Sequence, residues 1–465
     1  MKTYHLVRDI PVEEGYDLVV AGAGPAGCAA ALSAARQGAK VLLVEAMGCL
    51  GGMATSGLVT AFDPMANGER MIVGGIMREI VEAMYRRGFI PPGVTPDYWR
   101  KLYHRWTPFK PEGLKLLLDE MTAAAGIETR LFTRVIDADV NTAKSHVNGV
   151  IIQNVEGYRY VGAKTFVDAS GDAVLTELCG APYREAFRDS PKAMPPTLCS
   201  LFTGINWQAV ARPNQADKIA IEQEAKDRAI ADAFFTQPDR HLPGMWKVSD
   251  QVGYLNAGHI FDTNAVDCAS LTQAMIVGRR LVQEYEGFYR TYVPGCENIE
   301  LVATAALLGV RESRRVSGEY ELTIADYMAR RQFPDQIGVF NKFVDIHVYN
   351  TSQEEYDRFL VEKDKMRLGE GEFFGIPYGI LVAKGWDNLW VAGRCNSSDV
   401  QVHGSIRVQP ACAMMGEAVG TAAVQSIRTG QPACDLDTHD LIETLRAHDA
   451  YLPQTSLSKT MTRNR

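Results

Sequence analysis

The segment "YDLVVAGAGPAGCAAALSAARQGAKVLLVEA", residues 16–46, predicts the fold of this chain. It opens with a short apolar run, Asp17 to Ala21, which a glycine-rich turn connects to the alanine-rich stretch 25–37. Gly38 ends that predicted helix, and the apolar run "VLLV" follows. A strand, a helix and a second strand within about thirty residues are typical of a β-α-β unit.

The turn "GAGPAG", residues 22–27, carries glycines at the G-x-G-x-x-G spacing. In such a turn Gly22 permits the tight bend, Gly24 permits close approach of a pyrophosphate, and Gly27 lets the helix pack on the strand. The N–H groups at the helix start attract phosphate. Glu45 ends the second strand, where its carboxylate can accept hydrogen bonds from ribose hydroxyls. These features together predict dinucleotide binding, with a turn that holds no ligand as the alternative.

Four further segments resemble the FAD-binding parts of one flavoprotein superfamily. They are "LGGMATSG" (50–57), "TFVDASGDA" (165–173), "LGVRESRRVSGEYELTIADY" (308–327) and "NLWVAGRCNSSDVQVHGSIRVQPACAMMGEAVGTAA" (388–423). With the β-α-β unit, they are similar to the superfamily of fumarate reductase, succinate dehydrogenase and L-aspartate oxidase. In particular, the chain resembles the stand-alone bacterial FAD-dependent oxidoreductases of that superfamily, which have a glutathione reductase-like FAD fold.

The resemblance and the changes of residue composition along the chain predict an α/β protein with a discontinuous Rossmann-like FAD-binding domain. This domain is predicted to comprise residues 1–183 and 375–440, with an inserted α+β substrate or cap domain at 184–374 and a C-terminal tail at 441–465. Helices are predicted near 215–235, 270–290 and 298–310, and from Pro410 to just before Gly430.

The resemblance implies FAD as the cofactor. Flavoproteins that attach FAD covalently carry a histidine in the corresponding stretch, and none occurs between Glu45 and Thr60, so noncovalent FAD is expected. The residues predicted to contact it are Gly22, Gly24, Pro25, Ala26, Gly27, Glu45, Ala46, Gly51, Gly52, Met53, Thr55, Ser56, Val135, Ala169, Gly171, Asp172, Gly393, Arg394, Arg407, Pro410 and Ala411.

The stretch "HGSIRVQP", residues 403–410, is similar to the "HGANRLG" stretch of the fumarate reductase and succinate dehydrogenase flavoproteins. The resemblance implies that Arg407 holds a substrate carboxylate, which a guanidinium can do with two parallel hydrogen bonds. It also places His403 near the flavin. Two positions depart from the family pattern, since Ile406 replaces an asparagine and Arg394 replaces a glutamate. A structural ion pair is the alternative role for Arg407.

The predicted insertion supplies the other catalytic candidates. These are His259 in "GYLNAGHIFDTN" and Arg311 and Arg314 in "GVRESRR". The resemblance implies that a histidine and an arginine of the inserted domain handle a proton and the charge of the substrate. The alternatives are a structural role for the histidine in the core or at the surface, and ion pairs of the arginines with Glu312 or Glu319. His104 and His347 are additional candidates.

Cys49 lies close to the glycine pair "GG" of residues 51–52, and a cysteine beside such a pair suggests a redox role. Flavoenzymes that reduce disulfides carry two cysteines after such a pair, and the corresponding positions here are Ala54 and Val59. We therefore predict that Cys49 is a small packing residue. The nine cysteines are scattered and never spaced C-x-x-C, which argues against a disulfide framework and favours a reducing cytoplasm.

The bulk composition excludes other classes of protein. The net charge of −8 and the lack of basic clusters make a nucleic-acid surface improbable. The sequence has no apolar run of the roughly 18 residues that a membrane span needs and no secretory leader, so no membrane contact is expected. No histidine, cysteine and carboxylate cluster occurs at ligand spacing, so no metal is predicted.

The sequence therefore predicts an FAD-dependent oxidoreductase that transfers hydride between flavin N5 and a small, polar, anionic organic substrate. One alternative is an oxygen-using flavin monooxygenase or oxidase. Another is a flavin-containing electron-transfer or assembly subunit without catalysis. The substrate's identity, the direction of the reaction, the electron donor or acceptor and the formation of a homo-oligomer stay open.

Overall fold

The computed structural model describes residues 3–143, 145–190, 192–210 and 215–453. The strands are β1 (Val12–Ala21), β2 (Val41–Val44), β3 (Ala61–Phe62), β4 (Thr107–Pro108), β5 (Glu128–Arg130), β6 (Arg134–Asn141), β7 (His146–Asn154), β8 (Gly157–Asp168), β9 (Tyr183–Glu185), β10 (Ser200–Thr203), β11 (Trp246–Lys247), β12 (Gly253–Leu255), β13 (Glu300–Thr304), β14 (Arg314–Val316), β15 (Gln336–Phe340), β16 (Phe374–Pro377) and β17 (Leu389–Val391). The helices are α1 (Pro25–Arg36), α2 (Gly75–Arg86), α3 (Asp97–Arg100), α4 (Pro111–Ala124), α5 (Val174–Leu178), α6 (Trp207–Val210), α7 (Gln215–Ala231), α8 (Cys268–Tyr292), α9 (Ile324–Met328), α10 (Gln353–Lys365), α11 (Val400–Ile406), α12 (Gln409–Thr429) and α13 (Thr438–Ala447).

A mixed sheet forms the centre of the nucleotide-binding half. Its strand order is β5-β2-β1-β8-β7-β6, and β17 also pairs with β8. The pairs β5-β2, β2-β1, β1-β8 and β8-β17 are parallel, whereas β8-β7 and β7-β6 are antiparallel. Val19 pairs with Leu42 on one side and Phe166 on the other, and all three side chains are buried. The predicted α/β class is confirmed, and its buried apolar strands are typical of a parallel sheet covered on both faces.

The predicted β-α-β unit is present as β1, α1 and β2. Helix α12 lies against α1 at a distance that only glycine permits. A Cβ atom on Gly416 would lie 2.0 Å from the main-chain oxygen of Ala26, and one on Gly420 would lie 2.3 Å from that of Ala30. Because the two helices pack backbone to backbone, the first turns of both reach the same cavity.

A second, antiparallel sheet has the order β11-β12-β10-β13 and packs with α7 and α8 around Phe202, Tyr285 and Phe288. Helices α7, α8 and α12 agree with the predictions, and α12 ends at Gly430 with a φ of 71°. The helix predicted near 298–310 is wrong, because residues 300–304 form strand β13, which pairs with β10. The β-branched residues of "ELVAT" fit a pleated surface, and pairing with β10 satisfies their backbone.

The domain boundaries derived from the sequence stay a prediction. Tyr327, Phe340 and Phe374, from the predicted insertion, pack in the same hydrophobic core as α1 and α12. The predicted C-terminal tail contributes α13, whose Leu441 and Leu445 belong to that core, and its last twelve residues lie outside the described part of the chain. Among the described helices, none has both the length and the apolar character needed to cross a membrane.

Candidate active site

A cavity of about 1050 Å³ opens at the carboxyl ends of the parallel strands. Ala21 ends β1, Val44 ends β2, and Ala169 and Ala392 directly follow β8 and β17; all four line the cavity. The opposite wall comes from the antiparallel sheet and from loops near residues 241–256 and 342–347. Ligands of open α/β sheets bind at this edge, so the cavity is the candidate site.

Four residues of the glycine turn, Gly22, Gly24, Pro25 and Ala26, line this cavity. Gly22 has a φ of 96°, in the left-handed region that favours glycine. Gly24 is the N-cap of α1 and provides no side-chain cap, so the first N–H groups of the helix stay available to a ligand. No described atom lies within 4 Å of a Cβ built on Gly24, so this position faces open space.

Two other glycines of the predicted cofactor set shape the backbone and do not line the cavity. A Cβ on Gly27 would lie 1.8 Å from the main-chain oxygen of Gly22, so Gly27 permits the contact between helix and strand. Gly51 has a φ of 99°, which the bend before the next 3-10 turn requires. In that turn, Gly52 and Met53 do line the cavity.

Glu45 lies at the cavity wall next to Ala46, and its carboxylate is held by the backbone. Oε2 accepts a hydrogen bond from the N–H of Ala23 at 2.8 Å, and Oε1 accepts one from the N–H of Met47 at 2.8 Å. Each carboxylate oxygen has a second lone pair, so both can still accept from hydroxyl groups of a ligand. The backbone therefore fixes the orientation of the Glu45 carboxylate at the cavity wall, and its role in ribose binding stays a prediction.

Thr55 and Ser56 were expected to reach a phosphate or the flavin, but neither lines the cavity. Oγ1 of Thr55 donates a hydrogen bond to the main-chain oxygen of Leu50 at 2.6 Å. Oγ of Ser56 lies 3.2 Å from Sγ of Cys49. Both hydroxyls therefore stabilise the loop itself, and the expectation is corrected for these two residues.

The loops that follow β8 and β17 contribute four more predicted residues to the cavity wall, Ala169, Gly171, Gly393 and Arg394, and the predicted Val135 lines it from β6. Asp172 does not line the cavity, because its carboxylate is turned to protein groups. Its Oδ1 accepts from Oγ of Ser313 at 2.6 Å and from Nη2 of Arg394 at 2.7 Å. Asp172 thus positions Arg394 at the cavity wall.

The first turn of α12 reaches the cavity through residues that the sequence analysis did not select. Gln409 and Cys412 line the cavity, whereas the predicted Pro410 and Ala411 are buried behind them. Nε2 of Gln409 donates to the main-chain oxygen of Val59 at 2.6 Å. The helical turn places positions 409 and 412 on one face, a periodicity that could have identified them.

Arg311 and Arg407 line the same cavity. Nη1 of Arg311 donates to the main-chain oxygen of Pro195 at 2.6 Å and to Oγ1 of Thr197 at 2.9 Å. Burial, followed by repulsion from Arg407, lowers the pKa of Arg311 to about 10, so it stays cationic at neutral pH. Nη2 of Arg407 donates to the main-chain oxygen of Asp345 at 3.1 Å and to its Oδ2 at 3.3 Å.

His403 and His259, both predicted as catalytic, lie behind the cavity wall. Nε2 of the fully buried His403 donates to the main-chain oxygen of Arg311 at 3.2 Å. Nε2 of His259 lies 2.8 Å from Nδ1 of His347, which does line the cavity. Neither histidine touches the cavity directly, and each contacts a residue that does.

Arg314 lies outside the cavity wall, contrary to its prediction as a catalytic residue. Its Nε lies 3.0 Å from Oε2 of Glu185, and its guanidinium stacks on the ring of Tyr183 at 5.4 Å. The antiparallel pairing of β14 with β9 places Arg314 directly opposite Glu185. Arg314 therefore has a structural ion pair, as in the alternative considered for it, but its partner is Glu185 and not Glu312 or Glu319.

Several polar residues of the cavity were missed by the sequence analysis. Lys342 and Asp63 form a buried ion pair at the wall, and Nζ of Lys342 lies 4.0 Å from the centre of the Phe343 ring. Burial raises the pKa of Asp63, although the charge of Lys342 opposes this. The stretch "NKFVDIHV", residues 341–348, could have indicated Lys342 as a site residue, because Lys, Asp and His interrupt an apolar run there.

His104, a sequence candidate, lines the cavity as well. Neither of its buried ring nitrogens has a hydrogen-bond partner among the residues that the structure describes. Burial lowers its pKa to about 3, so the imidazole is neutral at physiological pH. A neutral imidazole has one donor and one acceptor nitrogen, and both are available to a ligand of the cavity.

A parallel sheet, a glycine turn at a helix start and a cavity at the strand ends together define a nucleotide-binding α/β protein. The chain belongs to the family of FAD dependent oxidoreductases, whose family model matches residues 17–446. It is accordingly an FAD-dependent oxidoreductase. No curated protein matches this chain.

Several solved structures are similar to the chain. The flavin-dependent brominase Bmp2 is 14% identical with a TM-score of 0.46, over 94% of this chain and 83% of that one. Aklavinone-11 hydroxylase, in complex with FAD and aklavinone, is 12% identical with a TM-score of 0.48, over 90% and 63%. A geranylgeranyl bacteriochlorophyll reductase-like protein from Thermoplasma acidophilum is 11% identical with a TM-score of 0.44, over 94% and 85%. Likeness at this level does not define a reaction.

The residues of the cavity fit FAD. The open space beside Gly24 and the uncapped start of α1 suit a pyrophosphate, which needs close backbone approach and free N–H groups. Glu45 presents free lone pairs for a ribose. The first turn of α12 reaches the same cavity and has no side-chain cap, so its positive end is available to negative charge on the flavin ring.

Proposed function

We propose that this oxidoreductase transfers hydride between N5 of bound FAD and a small, polar, anionic organic substrate. The observation that carries the proposal is the presence of two arginines, the buried Arg311 and the partly buried Arg407, at the wall of the cavity that also contains Gly24 and Glu45. An arginine pair of this kind binds a carboxylate with fixed geometry.

The charge of the cavity supports an anionic substrate. Seven arginine or lysine side chains line it, against three aspartate or glutamate side chains. In the described part of the chain, Nη1 of Arg311 donates hydrogen bonds only to uncharged oxygen atoms. Nε of Arg407 has no hydrogen-bond partner among the described residues. Burial of Arg311 without a paired carboxylate is costly for its charge, so an anion that binds beside it would offset that cost.

His104 is the residue that we propose for proton transfer. When a hydroxyl or amine group is oxidised, the carbon loses a hydride and the heteroatom loses a proton to a base. His104 is neutral and lines the cavity, and its ring nitrogens have no partner in the described part of the chain.

His403 and His259 are positioning residues in this proposal. His403 holds the main chain of Arg311, and His259 contacts His347 at the cavity wall. Membership of the fumarate reductase and succinate dehydrogenase superfamily is part of the proposal. It is supported by the position of Arg407 in the cavity and by the arginine and histidine that approach from the other half of the molecule.

The experiment is an anaerobic reaction of the purified FAD-bound protein with panels of hydroxy acids, amino acids, keto acids and enoates. Oxidised protein is mixed with the reduced members, photoreduced protein with the oxidised members, and flavin absorbance is followed. Arg407→Gln and Arg407→Lys are expected to reduce the rate with the active compound at least about tenfold, roughly 1.4 kcal/mol. Arg314→Gln is the matched control and should react within about twofold of the wild type.

The outcome also separates the alternatives. Reaction with an uncharged substrate that is unaffected by both Arg407 variants contradicts the proposal. Fast reoxidation by oxygen that is coupled to hydroxylation of a compound would support an oxygen-using enzyme. Reduction of a protein partner without turnover of any small molecule would support an electron-transfer subunit.

A further inference from the structure

Three histidines that are far apart in the sequence meet at one side of the cavity. His241, His259 and His347 each have a ring nitrogen within 4.8 Å of the others. His241 and His347 line the cavity, and His259 lies directly behind them. The ring of His241 stacks on that of His259 with a centroid distance of 5.2 Å and meets that of His347 edge-on at 5.4 Å.

Two carboxylates lie close to the outer sides of this cluster. Nδ1 of His259 lies 3.0 Å from Oδ2 of Asp239, and Nε2 of His347 lies 3.5 Å from Oδ2 of Asp345. The main-chain N–H groups of His241 and His259 also donate to Asp239, at 3.1 Å and 3.0 Å. Asp239 is 2% exposed, so it is a buried anchor for two of the three histidines.

The inner nitrogens of His259 and His347 face each other at 2.8 Å. A neutral imidazole carries one N–H. If His259 donates its N–H to Asp239 and His347 donates its N–H to Asp345, then Nε2 of His259 and Nδ1 of His347 present lone pairs to each other. Such an arrangement is stable only when a cation lies between them, either an extra proton or a metal ion.

The third histidine distinguishes these two cations. A shared proton needs two nitrogens, and these two are already paired without His241. A metal ion takes three or more ligands, and a histidine ligand characteristically donates its other N–H to a carboxylate. Asp239 lies next to His259 and Asp345 lies next to His347, where each carboxylate could accept the N–H of a metal-bound histidine.

We propose that His241, His259 and His347 bind one divalent transition-metal ion of the class that prefers imidazole, such as Zn²⁺, Ni²⁺, Co²⁺ or Fe²⁺. Metal–nitrogen bonds of about 2.0–2.1 Å in a tetrahedral site separate two ligand nitrogens by about 3.3 Å. Binding therefore moves the nitrogens of His259 and His347 apart by about 0.5 Å, within the reach of small side-chain rotations.

The proposed ion would be bound at the cavity wall that contains Arg311 and Arg407. Three protein ligands leave a coordination position for water or for an oxygen of the substrate. Asp345 links the two features, since it contacts both His347 and Arg407. The metal site goes beyond the proposed hydride transfer and does not depend on it.

The test measures metal binding by the FAD-bound protein, purified without a histidine tag. After removal of metal with a chelator, equilibrium dialysis against ZnCl₂, NiCl₂, CoCl₂ or anaerobic FeCl₂ is followed by elemental analysis. We expect one ion per chain for at least one metal. His241→Ala and His347→Gln should weaken binding at least about 100-fold, and Asp239→Asn about 10- to 100-fold, as expected for a residue that orients a ligand.

Matched controls make the result interpretable. His439→Ala changes an exposed histidine of α13 and should bind metal like the wild type. Retention of FAD by each variant reports that it is folded. Arg407→Gln should keep the metal even if it loses reaction with an anionic substrate, so failure of the proposed function and failure of the metal site are distinguishable.

Two results would overturn the metal site. One is a wild-type protein that takes up less than about a tenth of an ion per chain from every metal at ten micromolar free concentration. The other is a His241→Ala variant that binds as tightly as the wild type. Either result, together with a strongly downfield imidazole proton in the NMR spectrum, would assign the cation between His259 and His347 as a proton.

Discussion

His403 donates a hydrogen bond from Nε2 to the main-chain oxygen of Arg311 at 3.2 Å. The oxygen can only accept, so the bond also determines which ring nitrogen of His403 carries the proton. Arg311 lines the cavity and His403 does not. The histidine of the "HGSIR" stretch thus supports the main chain of an arginine that comes from a distant part of the sequence.

This bond predicts the effect of two substitutions at His403. His403→Ala leaves the buried oxygen of Arg311 without its donor, which should destabilise the protein by about 1–3 kcal/mol and weaken anion binding. His403→Gln retains a donor of similar reach and should restore most of both properties. Thermal unfolding and titration of the flavin spectrum with carboxylate probes measure the two effects. Equal losses in both variants would argue against a role through this hydrogen bond.

Gly24 and Gly27 should respond differently to a side chain. Gly24→Val adds atoms where no described atom lies within 4 Å, so the protein should fold but bind FAD at least about tenfold more weakly. Gly27→Ala places a Cβ atom 1.8 Å from the oxygen of Gly22, so it should lower stability or prevent folding.

Gly162→Ala is the control for these variants, because its added Cβ makes only ordinary contacts of 3.5 Å or more. FAD affinity is measured by flavin fluorescence during titration of the apoprotein, and folding by circular dichroism. A Gly24→Val protein with wild-type FAD affinity would show that the glycine turn does not contact the dinucleotide.

Glu417 on α12 predicts a pH-dependent stability. Burial raises its pKa to about 7, although the hydrogen bond from the N–H of Ile76 to Oε2 opposes this. Between the ordinary pKa near 4.5 and about 7, the folded state keeps a proton that the unfolded chain has lost. Stability should therefore fall as pH rises through this window, by an amount on the order of 3 kcal/mol, and change little from this group above it.

Glu417→Gln should remove this slope, because the amide is neutral at every pH and its oxygen can still accept from Ile76. Unfolding midpoints of both proteins with saturating FAD, measured from pH 5 to pH 8, give the comparison. Above pH 7 the variant should be the more stable protein. Glu156→Gln, at an exposed site, is the control. Parallel pH profiles of the wild type and Glu417→Gln would contradict the prediction.

Cys49 should be dispensable for flavin chemistry. It does not line the cavity, its Sγ lies 3.2 Å from Oγ of Ser56, and all nine cysteines are free. Cys49→Ser is expected to leave FAD content and the flavin reduction potential unchanged, as measured by absorbance and dye equilibration. A variant that retains FAD but can no longer be reduced would overturn this expectation.

Local patterns in the sequence predicted the features that depend on near neighbours. The glycine turn, Glu45 at the end of β2, and the start and end of α12 at Pro410 and Gly430 follow from strand and helix periodicity and from backbone preferences. The helix expected near 298–310 failed because pairing with β10, a hundred residues away, outweighs local propensity.

The sequence by itself determined the fold class and the glycine turn around Gly24, because these features depend on residues within one short β-α-β unit. Its resemblance to a flavoprotein superfamily, carried by four further segments, implied FAD. Only the tertiary structure decided which polar side chains share the cavity. His241, His259 and His347 meet because loops from separate elements pack against one another. The three histidines do not follow a helix or strand period in the sequence, so only the folded chain brings them together.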